Sequence, residues 1–289
     1  MAHYPDSSYF EFYQSADALL KLTSKPTRYS TKHRRAFPKF ESILGSPDED
    51  DQFLNWTKYK TKTDGTAIPH VKLHLSIGFA AIATTATALV SILHELAANT
   101  DLVEILRNEI EEVSPQGSDF LDGGSLSKLL KMDSLMKGSQ RIYPFTQVAS
   151  IRELRDDITL EDGKVRLKRG SACVAANSAT TTDPRYYCND PNVFDPLRFY
   201  KLRTQSTHST DKYKFTAINH ELLPWGYGRH ACPSRFLAHD TMKITLALLI
   251  TKYDIRLSSK SKIRPPPWRF GHTIIPDPTV EFEFKSRKV

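Results

Sequence analysis

The sequence predicts a mainly α-helical protein carrying small β-sheets. Leu75–Leu93 runs nineteen residues without a charge, and two further stretches, Ser125–Arg141 and Pro233–Lys252, repeat apolar residues at helical spacing. Strand-like alternation is confined to short pieces in the second half of the chain. Helix and strand do not alternate in the order that a doubly wound parallel sheet requires.

Residues 1–68 mix aromatic, basic and proline-containing pieces around an acidic loop, Asp48-Glu49-Asp50-Asp51, and show no period. Met1–Ser15 has no apolar core behind a basic start, so no signal peptide is expected. A helical segment spans 69–113. Its uncharged opening is long enough to cross a bilayer. It also contains Ser76, Thr84, Thr85, Thr87 and Ser91, and the expectation is a buried core helix. Asn99-Thr100-Asp101 predicts a break and a fresh N-cap. After a polar loop, Ser125–Arg141 predicts a helix with Leu126, Leu129, Leu130, Met132, Leu135 and Met136 as its apolar positions, ended by Pro144. Ile158-Thr159-Leu160 and Val165-Arg166-Leu167 around Glu161-Asp162-Gly163-Lys164 predict a hairpin. Residues 177–220 read as loop. Pro233–Lys252 predicts a helix whose apolar face includes Phe236, Leu237, Met242, Leu246, Leu249 and Ile250. The tail, 253–284, alternates like strands interrupted by Pro265-Pro266-Pro267.

With 39% hydrophobic and 25% charged residues over 289 positions, the chain can build a sizeable core, which excludes a disordered or fibrous class. A net charge of +7 admits nucleic acid, an anionic membrane surface or an acidic protein as partner. The basic residues are spread out, however. The densest runs, Lys32-His33-Arg34-Arg35 and Lys285-Ser286-Arg287-Lys288, lie towards the ends, and no nucleic-acid partner is expected. Cys173, Cys188 and Cys232 are odd in number and widely spaced, so they form no disulfide framework and suit a reducing compartment.

The chemistry concentrates in Pro224-Trp225-Gly226-Tyr227-Gly228-Arg229-His230-Ala231-Cys232-Pro233-Ser234-Arg235-Phe236. Two glycines permit tight turns and a close approach of backbone to a flat ligand. Pro233 suits the first position of a helix. Cys232 is then expected at the helix N-terminus, where free amides and the dipole favour a thiolate. Alone, Cys232 is compatible with an ordinary buried cysteine, or with a zinc site using His220, His230 or His239. A zinc site would lack a second cysteine at suitable spacing.

This loop resembles the haem loop of the cytochrome P-450 family, F-x-x-G-x-[RHK]-x-C-x-G, especially that of filamentous-fungal members. By that resemblance Cys232 is the iron ligand, Gly226 and Gly228 form the turn ahead of it, and His230 is a basic contact to a haem propionate. Trp225 replaces the usual Phe and keeps an aromatic ring near the sulfur; Ser234 replaces the usual Gly. Three further stretches match the family in order. Phe79-Ala80-Ala81-Ile82-Ala83-Thr84-Thr85 resembles the helix that crosses the distal haem face, with Thr84 at the oxygen-handling threonine and Ala83 at the usual acid. Lys131–Arg141 resembles the E-x-x-R helix, with Arg141 at the arginine and Gly138 at the glutamate. Asp183-Pro184-Arg185-Tyr186-Tyr187 and Phe194-Asp195-Pro196-Leu197-Arg198-Phe199 resemble the segment whose arginine, here Arg198, completes a buried charge triad.

The resemblance implies the C-terminal part of the cytochrome P-450 fold over residues 65–289, mainly α with small β-sheets, behind a poorly recognisable segment, 1–64. It implies haem b (iron protoporphyrin IX) with an axial cysteine thiolate. It implies oxidation of a small hydrophobic substrate with O2 and electrons from a flavoprotein of the NADPH-cytochrome P-450 reductase type. The family usually sits at the endoplasmic reticulum through an N-terminal anchor that this sequence does not show, which leaves location undefined. Gly138 deprives Arg141 and Arg198 of their expected carboxylate. Removing one partner of a buried ionic network costs about 3–5 kcal/mol, and a helical glycine adds about 1 kcal/mol relative to alanine. Two other readings are open: a non-catalytic remnant, from Gly138, and a haem-dependent isomerase or dehydratase without oxygen activation, from Ala83.

Overall fold

A computed structural model describes residues 70–287, apart from 116–122, 161–162, 188–189, 208–209, 260 and 262. The segment 1–64 lies outside the described residues, as do Cys188, Glu161, Asp162 and the first basic run. The chain divides into two compact units, Met1–Ala80 and Ala81–Val289. Of the first, only the opening of a helix is described; the site and the core belong to the second.

Helix α1 spans His70–Ala98 and α2 spans Thr100–Val113. The break falls where Asn99 adopts an extended backbone and its side-chain oxygen accepts from the Leu102 amide at 3.0 Å, satisfying one orphan donor of α2. The expectation of a buried α1 holds only for its last turns. Ser91, Ile92, His94, Leu96 and Ala97 are buried, whereas Ile82 is 56% exposed. By length and composition, Leu75–Ala98 could cross a membrane.

The single helix expected over Ser125–Arg141 is two helices, α3 (Gly123–Lys128) and α4 (Leu130–Ile142). The break is stabilised from outside. Glu109 on α2 accepts from the amides of Lys131 and Met132 at 2.5 and 2.9 Å, capping α4 with a carboxylate remote in sequence. Burial pushes the Glu109 carboxyl above its ordinary range, and the two amides offset part of that rise. Leu126, Leu129, Met132, Leu135 and Met136 are buried as expected.

Among the described residues the small sheets are four antiparallel pairs of strands. β1 (Ala149–Glu153) pairs with β4 (Ala172–Ala175), and β2 (Ile158–Thr159) with β3 (Arg166–Leu167). The predicted hairpin thus forms, with Ile158 opposite Leu167 and Gly163 at φ +66°. Short helices α5 (Asn177–Thr181) and α6 (Arg198–Gln205) punctuate the loop-rich stretch. Helix α7 (Arg235–Lys252) runs directly into β5 (Tyr253–Leu257), which pairs with β8 (Phe282–Ser286); β6 (Trp268–Phe270) pairs with β7 (Thr273–Ile275). One core joins α1, α2, α4, α7 and β5 through Ile92, Leu106, Met132, Leu135, Leu246 and Ile255.

Two expectations for α7 are corrected. Its first helical residue is Arg235, so Cys232 stands three positions ahead of the helix. Phe236 and Leu237, expected on the core face, are 56% and 69% exposed. Met242, Leu246 and Ile250 are buried in the core as expected, while the first turn, which follows Cys232 closely in the chain, leaves Phe236 and Leu237 at the surface.

Candidate functional site

Cys232 is half-buried at the end of a turn built by Gly226 at φ +73° and Gly228 at φ +64°. An L side chain is strained at either angle. A Cβ on Gly228 would meet no atom within 4 Å, so the space above it is open. The Cys232 amide donates to the Trp225 carbonyl at 2.7 Å, and the Cys232 carbonyl accepts from Arg235 Nη1 at 2.8 Å, holding the residue from both sides. Tyr227, Arg229 and His230 are exposed around the turn. Arg229 Nε donates to His230 Nε2 at 3.3 Å.

Behind this loop lies a polar cluster that the motifs do not single out. Asp133 on α4, almost fully buried, is within 3.1 Å of Arg203 Nη1, 3.1 Å of His239 Nε2 and 3.4 Å of Lys243 Nζ. It also accepts from the Phe215 amide at 2.9 Å. Burial alone would raise its pKa; the His239 hydrogen bond and the Lys243 charge outweigh that and hold it below the usual carboxylate value. His239 and Lys243 lie on α7, so this cluster fixes α7 to α4. His239, a conceivable zinc ligand by sequence, pairs with Asp133 and Asp240 instead. Among the described residues no group of three or more His, Cys, Asp or Glu could hold a metal ion. The signal available in the sequence is Asp133 and Lys137, a charged i, i+4 pair among the apolar positions of α4.

Arg141 and Arg198 come close enough for their charges to interact. Burial first, and then the Arg198 charge, bring the Arg141 pKa down to about 10. The carboxylate absent at Gly138 is replaced by carbonyl oxygens. Arg141 donates to those of Thr181 (3.0 Å), Val193 (2.7 Å) and Pro191, and its guanidinium lies 4.8 Å from the Tyr187 ring centre. Arg198 Nη2 donates to the Asp190 carbonyl at 3.3 Å. The full cost of the missing glutamate is therefore not incurred, because neutral acceptors take over part of its task.

Gly138 itself has room. A Cβ there would meet Phe194 Cε2 at 3.4 Å and the Asp195 carbonyl at 3.5 Å, both ordinary contacts. A helical glycine costs about 1 kcal/mol against alanine, so Gly138→Ala is expected to raise the unfolding temperature by about 2–4 °C in calorimetry. A lowered temperature would mean that the methyl does not fit. Gly138→Glu places a carboxylate one turn before Arg141, where i, i+3 side chains meet. It is expected to raise haem occupancy above that of Gly138→Ala; equal occupancy would remove the case for a charge triad.

Thr84 is half-buried on α1, two residues after the exposed Ile82. Both α1, through Ala88 and Leu89, and the cysteine loop, through Trp225, pack on the same core. A cavity of 540 Å³ lies elsewhere, lined by residues including Lys137, Tyr187, Arg198 and Tyr213, and shares no residue with the cysteine loop.

A cysteine presented by a two-glycine turn ahead of a helix, on a helix-rich scaffold with small sheets, is the layout of a haem-thiolate protein. The chain belongs to the cytochrome P-450 family, whose sequence profile matches residues 52–284. It is 38% identical to cytochrome P-450 monooxygenase 71 of Postia placenta over 246 residues, 84% of this chain and 48% of that protein. It is 31% identical to cytochrome P-450 monooxygenase braC of Annulohypoxylon truncatum over 274 residues, 90% of this chain and 54% of that one. It thus spans about half the length of the curated relatives it matches. A cytochrome P-450 of known crystal structure superposes with a TM-score of 0.65 at 19% identity, covering 86% of this chain and 53% of that one, which establishes the fold.

The family and fold imply haem with cysteine thiolate ligation, and the residues present fit it. The open space above Gly228 leaves room for a flat group. Exposed Phe236, Leu237 and Tyr227 offer apolar surface for a porphyrin. Exposed Arg229 and His230 offer cationic or hydrogen-bonding partners for its carboxylates.

Proposed function

We propose that this chain is the haem-binding part of a monooxygenase that oxidises a small hydrophobic compound with O2 and electrons from a flavoprotein reductase. The observation that carries the reading is Cys232, tethered at its amide and carbonyl beside uncovered apolar surface. Cys232 holds the iron as thiolate. Gly228 keeps a side chain out of the porphyrin's approach, and Gly226 supplies the positive φ of the turn where a Cβ would press on the His230 carbonyl and Ala231. By the family resemblance the Trp225 ring serves the sulfur side of the haem, His230 binds a propionate, and Arg141 and Arg198 fix the segment behind the loop. Thr84 holds a proton-bearing hydroxyl on the distal helix. Ala83, where the family usually carries an acid, leaves proton delivery to other groups. Bound haem supplies the oxygen chemistry, favoured by electron donation from the thiolate. The resemblance to fungal members points to an oxidative step in secondary metabolism and to a family habit of membrane association, for which Leu75–Ala98 offers one apolar helix.

The test is the carbon-monoxide difference spectrum of the reduced, haem-reconstituted chain. A strongly red-shifted Soret band that disappears in Cys232→Ser supports the reading. Failure to take up haem overturns it and leaves the non-catalytic remnant, which Gly138 favours. NADPH-dependent oxygen incorporation with a reductase separates a monooxygenase from an isomerase or dehydratase.

A further inference from the structure

We propose that Trp225 is a positioning residue that couples Cys232 to the buried Asp133 cluster through a relay of three hydrogen bonds. Asp133 Oδ2 accepts from the Phe215 amide at 2.9 Å. The Phe215 carbonyl accepts from the Trp225 indole Nε1 at 2.7 Å. The Trp225 carbonyl accepts from the Cys232 amide at 2.7 Å. Each link is short, and the middle one needs a ring N–H, which phenylalanine or tyrosine at 225 would not offer. The rings reinforce it: Phe215 is fully buried and meets Trp225 edge to face at 5.2 Å.

The relay ends on rigid matter. Asp133 is fixed by Arg203, His239 and Lys243, and Lys243 Nζ also donates to the Leu126 carbonyl at 2.9 Å. His239 and Lys243 belong to the helix that comes after Cys232. The cysteine is therefore held twice from one cluster, forwards along α7 and backwards through Phe215 and Trp225. The loop's own backbone bonds are short-range turns, from the Gly226 amide to the Leu223 carbonyl and from the Ala231 amide to the Gly228 carbonyl, both 3.0 Å, so its link to the core runs through Trp225. An aromatic ring would still pack on Phe215 after Trp225→Phe, but the tether would be gone.

The inference uses the proposed haem role only for its second readout. The first is the rate at which iodoacetamide alkylates Cys232 in the haem-free chain, followed by peptide mass spectrometry, with half-buried Cys173 on β4 as internal reference. Losing one hydrogen bond of ordinary strength corresponds to roughly a fivefold change in an opening equilibrium. Trp225→Phe is expected to speed Cys232 alkylation by about that factor while Cys173 is unchanged. An equal rise at both cysteines means general loosening, and an unchanged Cys232 rate means that the indole bond does not hold the loop; either result overturns the relay. In the haem-loaded chain, the same variant is expected to keep haem but to move part of the carbon-monoxide complex from the red-shifted to the unshifted band. If haem does not bind at all, the alkylation result still decides the relay, so its failure and the failure of the haem reading are distinguishable.

Discussion

Asp133→Asn is expected to destabilise the chain by about 3–5 kcal/mol, the usual cost of breaking a buried ionic network by removing one partner. Lys243 is 1% exposed and would lose its carboxylate while staying buried. Burial already depresses its pKa, and the Asp133 charge is the main influence opposing that fall. Arg203, 3.1 Å away, would lose the same partner. The corresponding fall in the unfolding temperature is roughly 10 °C for a chain of this size. The double variant Asp133→Asn, Lys243→Met removes the more deeply buried of the two stranded cations and is expected to recover part of the loss, since the uncompensated buried charge is the main cost of breaking such a network. A single variant within about 1 kcal/mol of the parent, or a double variant no better than the single one, would show that the cluster does not hold α4 and α7 together. The sign with pH is fixed too. The folded Asp133 pKa lies below its unfolded value of 3.8, so its contribution is present above that value and is lost as pH falls through the folded one.

The cysteine loop is legible in the sequence because its features are local. Gly226 and Gly228 need no distant partner to take positive φ, and a hairpin such as 158–167 is specified within ten residues. The features that are not legible depend on residues far apart. The break at Leu129 is held by Glu109, twenty residues earlier, and periodicity alone runs straight through it. Phe236 and Leu237 fit the apolar period of α7, yet they face away from the core; no periodic rule distinguishes a stripe that meets protein from one that meets a ligand. Arg141 shows the opposite error. With the glutamate missing, the sequence suggests a bare buried cation, whereas three carbonyls from three separate residues surround it. Backbone acceptors are present at every residue, so composition gives no sign of them.

His94 gives the second large effect. It is fully buried near the end of α1, its ring 5.0 Å from that of Phe282, and neither ring nitrogen has a hydrogen-bond partner among the described residues. Burial, then the Arg264 charge, lower its pKa from 6.5 to about 4, with Asp277 opposing. The folded chain therefore keeps His94 neutral where the unfolded chain already binds a proton. Stability is unaffected by this group above pH 6.5 and falls progressively as pH drops from 6.5 to about 4. The shift corresponds to an upper bound of roughly 3.5 kcal/mol. His94→Leu, which fills the site without polar atoms, is expected to match or exceed the parent at pH 7 and to flatten this acid limb, as read from urea unfolding at a series of pH values. An acid limb of unchanged depth would assign the loss to carboxylates such as Asp133 instead. The two can be told apart by position, because Asp133 acts only below its ordinary pKa and His94 acts above it.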